Sequence, residues 1–201
     1  MPAHWGIGQS RRLFALRNES AQESDRQLTA SQEHGVIYQE DFIRLEGRRV
    51  VEVIKGADIL KHVEPNDFVI SMRSFQGGIE WCNSRGRISS AYVMLVPCER
   101  IHGLFFSYLF KSQSYIQALQ TTSNLVRDGQ ALRYDNFSQV DLPLIPLGEQ
   151  AKIAAHIEVE LTKFDTLTLE AQRAIDLLQE RRTALISAAV TGKIDVRKVS
   201  M

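Results

Sequence analysis

One feature constrains this chain more than any other. From Ile153 onward, core-type positions recur at 157, 161, 164, 167, 171, 175, 178, 182, 185 and 189, with Arg182 the one charged member. Ten steps over 36 residues give a mean spacing of 3.6, the period of an α-helix. The pattern predicts a helix over about 148–191. Pro143 and Pro146 punctuate its approach, Glu149 lies in the first turn where the helix dipole favours an acid, and Gly192 supplies a left-handed stop. Glu149–Lys152, Glu160–Lys163 and Glu170–Arg173 are i,i+3 pairs of stabilising sign. At ~1.5 Å per residue such a helix spans ~66 Å. A domain built from the rest of a 201-residue chain covers only part of that stripe, and a bare stripe invites aggregation. With no second long helix in the sequence, the expected cover is another chain, across Ile153, Ile157, Leu161, Phe164, Leu167, Ala171, Ile175, Leu178, Leu185 and Ala189.

The preceding residues read differently. "RRVVEVI" (48–54), "DFVISM" (67–72) and "RISSAYVMLVP" (87–97) are short, β-branched segments that predict strands, and Gly77-Gly78 predicts a turn. "HGLFFSYLFKSQSYIQALQ" (102–120) has no proline and spaces Leu104, Tyr108 and Leu109 helically, which predicts at least one helix. Gly129 breaks the stretch that follows. The expectation is an α+β protein: a mixed domain over 1–143 and a coiled-coil connector over 144–201.

No apolar run approaches the ~18–20 residues of a membrane span, and "MPAHWGIGQSRRLF" lacks the layout of a secretory signal. Cys82 and Cys98, 16 apart, form no Cys-x-x-Cys pair, which argues against zinc and for a reducing, cytoplasmic setting. The chain is neutral overall, but residues 71–133 carry seven basic residues against three acidic ones. A confined positive excess fits a nucleic-acid surface; an ordinary solvated surface is the alternative.

Catalytic motifs are hard to find. The sequence has no phosphate-binding Gly-x-x-x-x-Gly-Lys-[Ser/Thr] loop, and "GIG" (6–8) does not continue to a third glycine. "RYDNF" (133–137) lacks the prolines of an adenine methyltransferase motif. Histidines 4, 34, 62, 102 and 156 are scattered singly and read as surface or capping residues, not metal ligands. Glu40-Asp41 reads as a solvated loop pair. No cofactor, metal or catalytic residue is assigned, and the chain is expected not to be an enzyme.

"LRYDNFSQVDLPLIPLGEQAKIAAHIE" and "AIDLLQERRTALISAAVTGKIDVR" resemble the specificity subunit of type I restriction–modification systems. "LTASQEHGVI", "NDFVISMRSFQGGIEWC", "GRISSAYVML" and "FKSQSYIQAL" resemble the target-recognition domain of the same family. That family has two recognition domains and two connector helices, whereas this sequence shows one of each, so it looks like a half-subunit. The resemblance implies a subunit with no catalytic site. It would read a DNA half-site, pair its helix antiparallel with that of an identical chain or a second half-subunit, and dock methyltransferase and restriction subunits. An assembly protein that binds partner subunits without reading DNA is the alternative.

Residue chemistry nominates the contacts to double-stranded DNA. Arginine forks suit guanine, glutamine and asparagine suit adenine, and lysine and serine suit phosphates. "RSFQGG" offers Arg73 and Gln76, and "NSRGR" offers Asn83, Arg85 and Arg87. Lys111, Ser112, Gln113, Arg127 and Arg133 fit phosphate positioning. Phe75 and Trp81 are assigned to the core.

Overall fold

A computed structural model describes residues 2–47, 59–122 and 133–194. The strand expected over 48–54, Arg127 and Gly129 lie outside the described residues. The chain divides into two compact units, Met1–Ala154 and Ala155–Met201. The first is mixed α and β and the second carries most of a 44-residue helix, so the α+β expectation holds.

The first unit is organised by a four-stranded antiparallel sheet. Its strands are β2 (Phe14–Arg17), β6 (Phe68–Ile70), β7 (Glu80–Trp81) and β9 (Val93–Pro97), in the order β2-β9-β6-β7. Two further antiparallel pairs flank it: the hairpin β3 (Leu28–Ser31)–β4 (Gly35–Tyr38), and β5 (Lys61–Val63) with β8 (Gly86–Ile88). β1 (Gly6–Gln9) pairs with β10 (Asp141–Leu144), joining the two ends of the unit. Pro143 sits inside β10, opposite Ile7. It is tolerated because, among the described residues, β10 has a neighbour on one side only, leaving the open side for the residue without an N–H.

Two apolar clusters hold these elements. The larger is aromatic: Phe14, Phe68, Phe106, Phe110 and Phe137 are fully buried, and the Phe14 ring meets Phe68, Phe106, Phe110 and Phe137 with centroids 5.5–5.6 Å apart. Edge-to-face contacts of this kind add to plain area burial. Phe75 belongs to this cluster and Trp81 packs against it, as expected. The smaller cluster joins Leu28, Val36, Val63, Val69, Cys82, Ile88 and Met94 beneath the β3–β4 and β5–β8 pairs. Burial pushes the Cys82 thiol up to about 11, so it is an inert packing residue.

Several local expectations change. The segment 87–97 is two strands, β8 and β9, because Ser89 makes a turn: its hydroxyl accepts from Ala91 N at 3.3 Å and its carbonyl from Tyr92 N at 3.1 Å. The segment 102–120 is helical as expected, and it divides into two helices, α4 (Gly103–Lys111) and α5 (Gln113–Thr121). The break is Ser112, extended in backbone, whose hydroxyl accepts from Tyr115 N and caps α5. Glu40 and Asp41 lie in the first turn of a helix, α2 (Gln39–Glu46), where the dipole favours them. At 77–78 the chain closes a short helix, α3 (Ser74–Gly77), and Gly78 (φ 82°) packs against the Phe110 carbonyl where no side chain fits. The remaining elements among the described residues are α1 (Ser10–Leu13) and α6 (Tyr134–Ser138).

The long helix, α7 (Leu147–Val190), agrees with the sequence to within one residue at each end. Its first turns are fastened by two side chains. Buried Gln150 donates to the carbonyls of Arg100 and Ile145, both at 2.8 Å, and accepts from His102 N at 2.8 Å. Glu149, instead of pairing with Lys152, binds Trp5 Nε1 at 3.1 Å and His4 Nε2 at 2.9 Å. Ala154 is buried in the aromatic cluster. Past it, within the second unit, side chains from Leu161 to Ser187 are exposed, and Gly192 (φ 73°) ends the helix as anticipated. Glu160–Lys163 forms its expected pair at 2.7 Å.

Candidate nucleic-acid interface

Most described candidates fall into two groups around the smaller apolar cluster. In the first, the β3–β4 turn meets α3 and the end of α4. Gln32, in that turn, donates from Nε2 to the Arg73 carbonyl at 2.8 Å, and its own carbonyl accepts from Lys111 Nζ at 3.4 Å. The Arg73 and Gln76 side chains are exposed there. A cleft of about 260 Å³ runs between Ser31, Gln32 and Phe42 on one side and Ser71, Met72, Arg73 and Tyr92 on the other. Gln32 has the residue chemistry of an adenine reader, yet it lies in "SQEHG", where the sequence gives it no distinction from other turn residues.

Lys111 is committed elsewhere. Its ammonium pairs with Glu80, whose side chain is 3% exposed. Burial raises the Glu80 pKa and the Lys111 hydrogen bond works against that rise, so the lysine neutralises a buried acid. Ser112 is likewise engaged, as the α5 cap, while Gln113 beside it is exposed.

In the second group, the loop after β7 meets the segment before β3. Asn83 is exposed. Arg85 donates from Nη2 to Gln22 Oε1 at 2.7 Å, with Nε 3.7 Å from Asp25 and 3.6 Å from Glu64. Arg87 lies on β8 opposite His62, half-buried, and its Nε makes no hydrogen bond. Arg26, not singled out by sequence, lies over the Tyr38 ring at 3.7 Å and pairs with Glu40. Arg133 is exposed ahead of α6, whose Phe137 belongs to the aromatic cluster.

The histidines have separate roles, and one of them, His62, departs from the surface or capping expectation. His102 caps α4, its Nδ1 accepting from Phe105 N. His62, expected at the surface, is 1% exposed and lies between Asp25 (2.6 Å) and Glu64 (2.8 Å). His34 Nε2 lies 2.9 Å from Glu46, and with Glu33 these residues place three ligand-type atoms within 4.8 Å of one another. No helix among the described residues is long and apolar enough to cross a membrane.

No family model matches the sequence. The chain is 24% identical over 133 residues to the type I restriction enzyme EcoBI specificity subunit of Escherichia coli, an alignment covering 66% of this chain and 27% of that protein. In fold it is similar to the HsdS subunit from Thermoanaerobacter tengcongensis, with a TM-score of 0.52, 16% identity, and coverage of 83% of this chain and 40% of that one. It is also similar to a chain solved in a study of complex assembly and conformational transition of the type I R-M system: TM-score 0.62, 15% identity, 94% of this chain and 46% of that one. The chain thus spans less than half the length of each relative.

Proposed function

We infer that this chain, a relative of the type I restriction specificity subunits in sequence and fold, binds DNA sequence-specifically without catalysing a reaction. The observation that carries this reading is the pairing of two parts. A recognition-type domain presents Arg73 and Gln76 at the short helix α3 and Asn83 and Arg85 on the loop after β7, and a 44-residue helix exposes its apolar side chains. The loops read one half-site. The helix pairs antiparallel with a second such helix, from an identical chain or a different one, and receives methyltransferase and restriction subunits. Two identical domains related by a two-fold axis would read a palindrome in two parts.

Selection from a pool of randomised duplexes tests this. Enrichment of a defined sequence supports DNA reading. Arg73→Ala should then lose ~1–3 kcal/mol of discrimination at one base position. Binding that is equal for all duplexes, or absent, overturns it. The second reading, an assembly protein that does not read DNA, draws on the engagement of Lys111, Ser112 and Arg85 within the domain. It predicts capture of methyltransferase subunits with no enriched sequence.

A further inference from the structure

His62 is a buried histidine with a carboxylate at each ring nitrogen: Asp25 Oδ2 at 2.6 Å from Nδ1 and Glu64 Oε1 at 2.8 Å from Nε2. A carboxylate can only accept, so both nitrogens donate and the ring is an imidazolium. Asp25 is as buried as His62, while Glu64 and Arg85 reach solvent. The four groups balance, two positive and two negative. Arg85 stands just outside hydrogen-bonding range of both acids, 3.6 and 3.7 Å away, with Gln22 holding its Nη2.

We propose that His62 is a positioning residue for Arg85: by holding Asp25 and Glu64, the imidazolium keeps both acids from closing on the Arg85 guanidinium, which is left with one hydrogen bond, to Gln22, to give up in turning to DNA. The inference rests on the DNA-reading function proposed above. When the imidazole is neutral, one ring nitrogen becomes an acceptor facing a carboxylate, and that acid is released. Arg85 is the nearest cation to it and closes onto it, away from DNA. The other charged groups around His62 do not substitute. Arg87 faces it across the β5–β8 pair, but the ion pairs of Asp25 and Glu64 are with His62 and Arg85. Asp67, which accepts from Glu64 N, is taken by Arg17 at 2.6 Å, and Glu19, whose carbonyl receives His62 N, also pairs with Arg17.

The coupling has a defined sign. When Arg85 moves to DNA, the imidazolium becomes the sole cation between the two acids and its pKa rises. By reciprocity, protonation favours DNA binding. Affinity should therefore fall as pH rises through the His62 titration, by up to about tenfold for each unit by which DNA moves that pKa.

The test uses the full chain, a duplex enriched from the randomised pool and a scrambled duplex, with anisotropy measured across pH at constant ionic strength. The wild type should lose affinity for the enriched duplex as pH rises. His62→Gln and Arg85→Ala should both flatten that slope, and at low pH both should bind more weakly than the wild type. Nitrogen-15 shifts of the His62 ring should show both nitrogens protonated at neutral pH. If His62→Gln does not fold, by circular dichroism, the wild-type ring shifts and the Arg85→Ala slope decide. A neutral ring at neutral pH, or an unchanged slope in Arg85→Ala, overturns the proposal. A pool that enriches no sequence overturns the DNA reading itself and removes the positioning role with it, a result distinct from enrichment with an unchanged pH slope.

Discussion

The two units bury their apolar residues to opposite extents. In the first, Phe14, Phe68, Phe106, Phe110 and Phe137 surround one another out of water. In the second, Phe164 is 62% exposed, Leu167 59% and Leu178 64%. The residue types differ little; what differs is whether the chain supplies a partner. A sheet and short helices fold over one another, whereas a single helix can fill no core of its own, and its stripe has value only against another surface. The first unit's stability should therefore be intramolecular and independent of concentration. The second unit's apolar residues should act through association.

The largest expected effect tests the first half of that contrast. Phe110 meets the rings of Phe14, Phe68, Phe106, Tyr115 and Phe137 within 6.0 Å. Phe110→Ala should cost about 3–5 kcal/mol, from lost transfer free energy plus the cavity left behind. Urea denaturation followed by tryptophan fluorescence measures this, and the loss should not change with protein concentration. A concentration-dependent loss would mean that the aromatic cluster is completed by association.

Lys111→Ala comes next. Removing the ammonium leaves Glu80 buried without its cation, which should cost about 2 kcal/mol because the lysine is partly exposed and its pair partly screened. The cost should shrink as pH falls and Glu80 takes up a proton, and Glu80→Gln in the Lys111→Ala background should recover much of it. A phosphate-binding lysine gives another result: unchanged stability, and a salt dependence of DNA affinity whose slope falls by about one.

A smaller, pH-dependent term comes from the buried pair. Burial works against charge on His62, but its hydrogen bonds to Glu64 and Asp25 prevail, and its pKa is raised. That contribution is complete below the unfolded value near ~6.5 and disappears as pH rises through the folded one. Asp25 is the opposite case. Burial raises its pKa, but the Gln22 N–H and His62 outweigh that and hold it low, so its contribution is lost as pH falls through the folded value. Thermal melts across pH should show a plateau between the two titrations, and His62→Gln should remove the alkaline decline.

The sequence revealed these units unequally, for physical reasons. A helix is a local structure, so period, dipole and cap are all written in neighbouring residues, and α7 was legible to within a residue. Sheet pairing is largely non-local: nothing near Gly6 announces that it will meet Leu144, and nothing near Phe14 that it will meet Pro97. The break at Ser112 depends on one hydroxyl capping α5 within an apolar pattern that otherwise runs on. At the candidate site, residue type nominated Arg73, Gln76, Asn83 and Arg85 but gave no sign that Lys111 neutralises Glu80. Nor did it show that His62 lies between two acids drawn from elsewhere in the chain. Gln150 is the clearest case. Its amide secures three backbone groups at the start of α7, whereas its neighbour Glu149 gave the more conspicuous signal, through its charge.

The smallest effect on domain stability should come from the helix. Leu178 is 64% exposed, so Leu178→Glu should alter the first unit's stability by less than about 0.5 kcal/mol. The same substitution should abolish association through α7, because in a paired helix the new carboxylate would be buried without a cation. Sedimentation velocity should then give monomers where the wild type associates. Insertions near Leu169 separate a general loss of stickiness from loss of register. Four residues, close to one turn, keep the stripe nearly in phase and lengthen the helix by ~6 Å, so association should survive. Two residues rotate everything beyond them by about 200° and should break it. If two such helices set the distance between two readers, the four-residue insertion should also widen the unread spacer of the DNA site by about one or two base pairs, at ~3.4 Å each, with both half-sites unchanged. Association of Leu178→Glu at wild-type strength would show that the exposed stripe is not the contact surface, and the contrast between the two units would lose its functional meaning.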